Sequence, residues 1–353
     1  MLRLLALLCL LWIEPPAASA QVARLPAMQT GQVSVSGLSA GGFMAVQFEV
    51  AFSASVTGAG IIAAGPYFCA QGTVYLATTV CSCTSDLLAC QVHAGGTNVP
   101  LLVGDTAQLA QSGLIDATSH LSSHRVWLFS GTADSVVPQA VMNDLHSYYR
   151  HYVAASQISY QSSIAAEHAM PTDSYGNACS YFGAPFINDC GYDAAGQLLK
   201  WLYGPLSARN TGAPSGQWLE FDQSEFLPAP TVHGMANSGY LYRPPGCTGN
   251  AAGCKLHVVF HGCLQDPTHI GTVFTMHAGY TAWADSNRIV LLFPQASPIY
   301  PFTNPKACWD WFGYDDARYA TRLGRQMAAI KRMVDRLTGF SPGLRCRQGR
   351  CTS

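Results

Sequence analysis

Gly37-Leu38-Ser39-Ala40-Gly41 follows the apolar alternation Gln32-Val33-Ser34-Val35-Ser36 and leads into Gly42-Phe43-Met44-Ala45-Val46-Gln47-Phe48. Strand, tight turn, helix is the order in which a G-x-S-x-G pentapeptide lifts a serine hydroxyl above the end of a sheet. The flanking glycines let the backbone turn sharply. The pentapeptide lies so near the start of the chain that no upstream strands fit before it.

A serine hydroxyl is a weak nucleophile and needs a base, itself oriented by a third group. Downstream, apolar β-rich runs ending in turn residues alternate with helical spacing, which predicts a mainly parallel sheet flanked by helices. Strands are expected at 56–65, 125–131 and 158–161, with a helix over 136–152. Asp134, in Gly131-Thr132-Ala133-Asp134, closes the second of these strands, where an orienting acid belongs. An aspartate there is also able to cap the helix that follows. His168, in Ala166-Glu167-His168-Ala169-Met170-Pro171, sits in the loop after the next strand and is the candidate base. Of the 11 histidines, His146 and His151 fall on a helical run, His120 and His124 precede a strand, and His93 in a Gly-rich loop is a rival. Serine, acid, histidine is the chain order of the α/β-hydrolases.

A tetrahedral intermediate needs two N–H donors held in place beforehand. Ala40, the residue after the serine, supplies one. The second normally comes from a His-Gly loop after an early strand. Here that motif is His261-Gly262-Cys263, closing the apolar strand 255–260 far downstream of Ser39, and the N–H near Cys263 is the candidate donor. Further strands at 239–242 and 288–294 and a helix over 318–337, apolar at Leu323, Met327, Ile330, Val334 and Leu337, complete the C-terminal part. Placing these elements ahead of residue 32 restores the usual order. The expected fold is a circularly permuted α/β-hydrolase, a rearrangement tolerated where termini lie close together. The stretch 172–235, rich in Gly, Pro and aromatic residues, is expected to cover the site.

Residues 1–20 read as a signal peptide: Arg3, the apolar run Leu4–Ile13, and the small-residue cleavage site Ala18-Ser19-Ala20. The apolar run is too short for a membrane span, so a secreted product, extracellular or periplasmic, is expected. Residues 21–353 are expected to form a single catalytic domain and to act as a monomer. Of 13 cysteines, 12 lie outside that leader, an even number that in an exported chain points to disulfides. Spacing suggests Cys179 with Cys190, Cys247 with Cys254, and Cys346 with Cys351. The pairing of Cys69, Cys81, Cys83 and Cys90 is open, and Cys81-x-Cys83 lacks a partner pair at zinc-site spacing. With charged residues at 11%, a net charge of -1 and no basic run, nothing supports a nucleic-acid partner.

Five segments in one order carry a resemblance: Gly37–Ala45, Gly131–Asp134, Glu167–Thr172, His261–Gln265 and Cys308-Trp309-Asp310-Trp311. Together they resemble the poly(3-hydroxybutyrate) depolymerases, of the type whose nucleophile lies near the N-terminus. The resemblance covers about residues 30–340. It implies a secreted serine esterase that cleaves a polyester to oligomers or monomer through an acyl-enzyme, without cofactor or metal. Ser39 would be the nucleophile, His168 the base and acid, Asp134 its orienter, and Ala40 and Cys263 the oxyanion donors. It further implies a Cys263–Cys308 disulfide, and Trp309 and Trp311 as walls of a polymer groove, although both could equally be core residues. Asp310 reads as a structural hydrogen-bonder. A linker and polymer-adsorbing module of the kind many secreted members carry is not expected in this chain. A carbohydrate esterase of feruloyl or acetyl-xylan type is the alternative activity. A non-catalytic polymer-surface protein is the alternative of another class.

Overall fold

Val33–Leu38 forms the first strand, β1, at the centre of an eight-stranded sheet, buried at every position. The computed structural model describes residues 22–249 and 251–340, and the backbone of 345–347 and 350–352. The leader lies outside the described residues. So do the side chains of Cys346 and Cys351, whose positions face each other across a small antiparallel ribbon.

After β1 come α1 (Ala40–Ala51), β2 (Gly58–Ile62), α2 (Val74–Thr79) and α3 (Val99–Gln111). β3 (Arg125–Phe129), α4 (Gln139–Tyr152) and β4 (Ile158–Gln161) finish the first half of the sheet. Three short strands, β5 (Met170–Thr172), β6 (Asn177–Ala178) and β7 (Ile187–Asp189), make a separate small sheet. Then follow α5 (Ala194–Tyr203), β8 (Gln217–Asp222), β9 (Ser238–Arg243) and β10 (Lys255–Phe260). The helices α6 (Pro267–Ile270), α7 (Val273–His277) and α8 (Tyr280–Asn287), strand β11 (Ile289–Phe293) and helix α9 (Arg325–Thr338) close the fold.

The large sheet runs β4-β3-β2-β1-β10-β11-β9-β8, parallel except where β9 meets β11 and β8. Counted from β8 as first strand, the order across the sheet becomes 1-2-4-3-5-6-7-8 with the second strand reversed. β10 is then the third strand and β1 the fifth, so the serine turn and the His-Gly loop leave adjacent strands at the same end. The chain is a circularly permuted α/β-hydrolase. Its seam is visible: Met28 and Thr30 donate backbone N–H groups at 3.0 Å to the carbonyls of Arg336 and Leu337 in the last turn of α9.

Central parallel strands are covered on both faces and read as continuous apolar runs, as β11 does; β10 departs from this only at Lys255 and the buried His257. α1 is buried at all twelve positions because the loop around Asp310 and Tyr319 closes over its outer side, where Gln47 Nε2 donates to both carbonyls. α9 is one-sided, with Met327, Ile330, Met333, Val334 and Leu337 buried. It starts after Gly324, so Leu323 lies outside it and is 51% exposed.

The expected cover over 172–235 is corrected. α5 lies against the sheet, with Leu198 packed on Gly60 of β2, and β8 is an edge strand paired along its length with β9. The aromatic residues that suggested a cover are held by these elements: Trp218 by Tyr242 and Phe293, and Trp201 by its indole bond to the Gln157 carbonyl. Only the part around β5–β7 reaches the site, through Phe182 and Phe186.

Candidate active site

Ser39 sits at the N-cap of α1 with φ 58° and ψ −127°. An L-residue holds such a conformation only when its surroundings over-determine it. Here they do. The Ser39 N–H donates to the Ile62 carbonyl at 2.9 Å, and the Phe43 N–H returns to the Ser39 carbonyl at 2.9 Å. The glycines are needed for contact as well as for the turn. A Cβ on Gly37 would come within 2.1 Å of the Gly41 carbonyl oxygen, and one on Gly41 within 2.3 Å of the Phe260 and His261 carbonyl oxygens.

Asp134 and His168 meet although they leave different strands. His168 Nδ1 lies 3.0 and 2.9 Å from the two Asp134 oxygens, with both side chains nearly buried. Asp134 Oδ1 also accepts from the Val136 and Val137 N–H groups at 2.9 and 2.7 Å, which ties the carboxylate into its own turn. With Nδ1 facing a carboxylate, Nε2 is the nitrogen left for the cavity. His168 and Ser39 line the same cavity. Among the described residues they share no direct hydrogen bond; such bonds often tighten only when substrate is present. Glu167, which sequence reading left without a role, clamps the two loops together. Its Oε1 accepts from the Ser135 N–H and hydroxyl and from the His168 N–H at 2.8, 2.9 and 2.8 Å.

The His261-Gly262-Cys263 loop lies against Ser39, with an ideal Gly262 Cβ only 3.3 Å from the Ser39 Cβ. His261 is buried, its Nε2 accepts from the Ala296 N–H at 3.1 Å, and its Nδ1 stands 2.7 Å from the Gly262 carbonyl. Only the tautomer protonated at Nδ1 satisfies both contacts. Burial lowers the pKa of His261, keeping the ring neutral. Holding the Gly262 carbonyl turns the Cys263 N–H to the opposite side of a planar trans peptide. Among the described residues neither that N–H nor the Ala40 N–H donates to a protein group. Gln265 steadies the same loop: its Oε1 accepts from the Gly262 N–H at 2.7 Å, and its Nε2 donates to the Pro185 and Phe186 carbonyls at 3.0 Å.

Cys263 is joined to Cys308 with an S–S distance of 2.03 Å. Cys179 is joined to Cys190 and Cys247 to Cys254, while the open set resolves as Cys69–Cys81 and Cys83–Cys90. The cavity, about 290 Å³, is lined mainly by apolar side chains, among them Phe43, Val136, Val137, Phe186, Trp311 and Phe312. Trp311 stacks on Phe43 with ring centroids 3.9 Å apart. Trp309 does not line it. It is fully buried, and its indole N–H donates to the His261 carbonyl at 2.9 Å, so it holds the His261-Gly262-Cys263 loop. Asp310 is buried too and accepts from the N–H groups of Gly313, Tyr314 and Asp316. Burial pushes its carboxyl up to about 7, and the three N–H donors oppose that rise. Among the described residues no His, Cys, Asp and Glu group could hold a metal.

No protein-family model matches the chain. It is 48% identical over 324 residues to a poly(3-hydroxybutyrate) depolymerase of Delftia acidovorans, an alignment covering 90% of this chain and 62% of that longer protein. With a polyhydroxybutyrate depolymerase of Talaromyces funiculosus it shares 37% identity over 342 residues, 92% of this chain and 95% of the relative. The chain belongs to the polyhydroxybutyrate depolymerase family. Two solved structures of such depolymerases superpose on it at 35% identity, each covering 90% of this chain and 99% of its own. One is a PHB depolymerase (S39A) complexed with an R3HB trimer, with a TM-score of 0.81; the other is the PHB depolymerase from Penicillium funiculosum, at 0.80.

Proposed function

We propose that this chain is a serine esterase that hydrolyses poly(3-hydroxybutyrate), or oligomers of it, through an acyl-enzyme on Ser39. The observation that carries this is the buried Asp134–His168 pair, set in one cavity with a serine held in a strained elbow. Ser39 Oγ attacks the ester carbonyl carbon while His168 Nε2 takes its proton. The carbonyl oxygen becomes an oxyanion facing the Ala40 and Cys263 N–H groups. The C–O bond then breaks, and the leaving alkoxide takes the proton back from His168. Water, deprotonated in the same way, releases the acid and restores the serine. Asp134 holds the imidazole in the required tautomer throughout.

The lining favours a polyester over a sugar ester. It holds no carboxylate, and its best-placed amides are already engaged, Gln265 as above and Asn304 with both the N–H and the carbonyl of Cys308. Just ahead of the lining residue Thr303 in the chain, Tyr300 and Phe302 are 64% and 90% exposed, apolar surface suited to a solid polyester. The leader pattern supports export; a single catalytic domain from residue 21, acting as a monomer, is the remaining part of this proposal. Among the described residues no helix is long and apolar enough to cross a membrane. The test is release of 3-hydroxybutyrate and its oligomers from amorphous polymer, with a feruloylated or acetylated xylan as control. Ser39→Ala is expected to lose at least three orders of magnitude in kcat. Parent-level activity in Ser39→Ala would remove the serine from the mechanism, and faster release of ferulate or acetate would reassign the substrate.

A further inference from the structure

Apart from His168, the cavity lining contains one ionisable side chain, Lys306. The chain has four lysines. Lys200 lies over the Trp283 ring and Lys255 over the Tyr203 ring, at 4.3 and 5.6 Å from their centroids. Lys331 pairs with Asp335. Lys306 is exposed and, among the described residues, forms no ion pair. Its backbone is fixed against the oxyanion loop, since the Leu264 N–H donates to the Lys306 carbonyl at 2.7 Å and the Cys263–Cys308 bridge closes two residues away. An unpaired cation at the rim of an apolar, carboxylate-free cavity is a site for an anion, and an ammonium on a flexible stem suits a mobile carboxylate.

A linear 3-hydroxyacid oligomer carries one charge, the carboxylate at its acid end. Attack on any internal ester makes the hydroxyl-side segment the acyl group on Ser39, so the acid end always departs with the leaving alcohol. We propose that Lys306 is a specificity-determining residue that receives this free carboxylate, so that the enzyme prefers free-acid 3-hydroxyalkanoate oligomers over neutral ones. This rests on the polyester reading above. The carboxylate is a bystander to bond making: the Oγ–acyl bond forms, the ester C–O bond breaks, and the proton returns through His168 as before.

The experiment compares kcat/KM for an (R)-3-hydroxybutyrate trimer with a free carboxylate and for the same trimer capped as its primary amide. The parent is expected to favour the free acid about two- to five-fold at low salt, the range of an exposed ion pair, with the preference shrinking as salt is raised. Lys306→Met should bring the ratio to about one, and Lys306→Arg should retain it. The readout is a ratio within each enzyme, so a variant of reduced activity still reports. Should Lys306→Met be too unstable to assay, the salt dependence of the parent's ratio decides. A parent ratio of one, or a ratio unchanged in Lys306→Met, overturns the role of Lys306 and leaves the polyester reading standing. Cleavage of 4-nitrophenyl butyrate with no cleavage of either trimer would overturn the polyester reading itself.

Discussion

Replacing His261 separates the chemistry of the oxyanion loop from its stability. In His261→Leu the Gly262 carbonyl loses its clamp and the Ala296 N–H loses its acceptor. A hydrogen bond to a buried carbonyl contributes about 1 kcal/mol net, and leaving a buried group unpaired costs about 1–3 kcal/mol. If that difference holds the Gly262–Cys263 peptide in place, the competent fraction falls by roughly 5- to 150-fold. The ceiling is complete loss of one oxyanion donor, about 10²–10³ in kcat. Three other ties remain: the Cys263–Cys308 bridge, the Leu264–Lys306 backbone bond and the Gln265 clamp. They place the expected fall in kcat near the middle of that range, about 10- to 100-fold, with KM little changed. His261→Asn keeps a donor amide close to where Nδ1 stands but cannot reach Ala296. It should therefore lose comparable stability, about 1–3 kcal/mol, while staying within a few-fold of the parent in kcat. Steady-state kinetics on 4-nitrophenyl butyrate, with denaturant midpoints for all three proteins, gives both quantities. A folded His261→Leu with the parent's kcat, or a His261→Asn as inactive as His261→Leu, would refute the clamp.

Gly41→Ala should fail to accumulate as folded protein or unfold well below the parent in a thermal melt, because its methyl meets two backbone carbonyls of the β10 end at 2.3 Å. Trp311→Ala should raise KM for oligomers with little loss of melting temperature, since Trp311 is half-buried at the cavity wall. Trp309→Ala should lower stability by about 3–5 kcal/mol, and equal melting temperatures for these two variants would contradict their placement. His257 is fully buried between the Ser34 and Ser36 hydroxyls, with the Tyr203 and Tyr280 hydroxyls beyond them, and burial pulls its pKa down to about 3. Its depressed value means stability is complete above the unfolded pKa near 6.5 and declines as pH falls toward 3, by about 1.4 kcal/mol per pH unit. His261 acts in the same direction, and His124 in the opposite one: burial lowers it, but the Glu49 hydrogen bond and charge with the Ser53 carbonyl outweigh that and raise it. The test is therefore the difference between parent and His257→Asn in denaturant midpoints at pH 7 and 4.5, and parallel slopes would disprove the assignment.

Residues that close a strand were the ones legible in the chain. Ser39, Asp134 and the His261 loop each follow an apolar run that stops abruptly, and a parallel sheet brings such ends to one edge. His168 was legible through chain order. Burial within loops was not. Trp309 and Trp311 stand two positions apart with the same side chain, and only the fold puts one under the oxyanion loop and the other on the cavity wall. β8 was hidden for a related reason: Gln217–Asp222 is an edge strand with mixed polarity, flanked by Gly, Pro and Ser, and its pairing with β9 is what defines it. Glu167 and Gln265 escaped because their effect is to join loops distant in sequence, which no local pattern records. The bridges among Cys69, Cys81, Cys83 and Cys90 were undecidable because all four lie close together along the chain.

The seam beside α9 has a consequence for the order in which the enzyme comes into being. β1 and the serine turn are made first, yet the partner of β1 on its oxyanion side, β10, is made more than two hundred residues later. Pairing of such high contact order is slow to form. Until it forms, the Gly41 backbone lacks the β10 end it packs against, and the His261-Gly262-Cys263 loop is not beside Ser39. A growing or truncated chain thus carries the proposed nucleophile from the outset without the loop proposed to stabilise its oxyanion. On the proposed mechanism, activity is expected to begin only when the last third of the polypeptide closes the middle of the sheet.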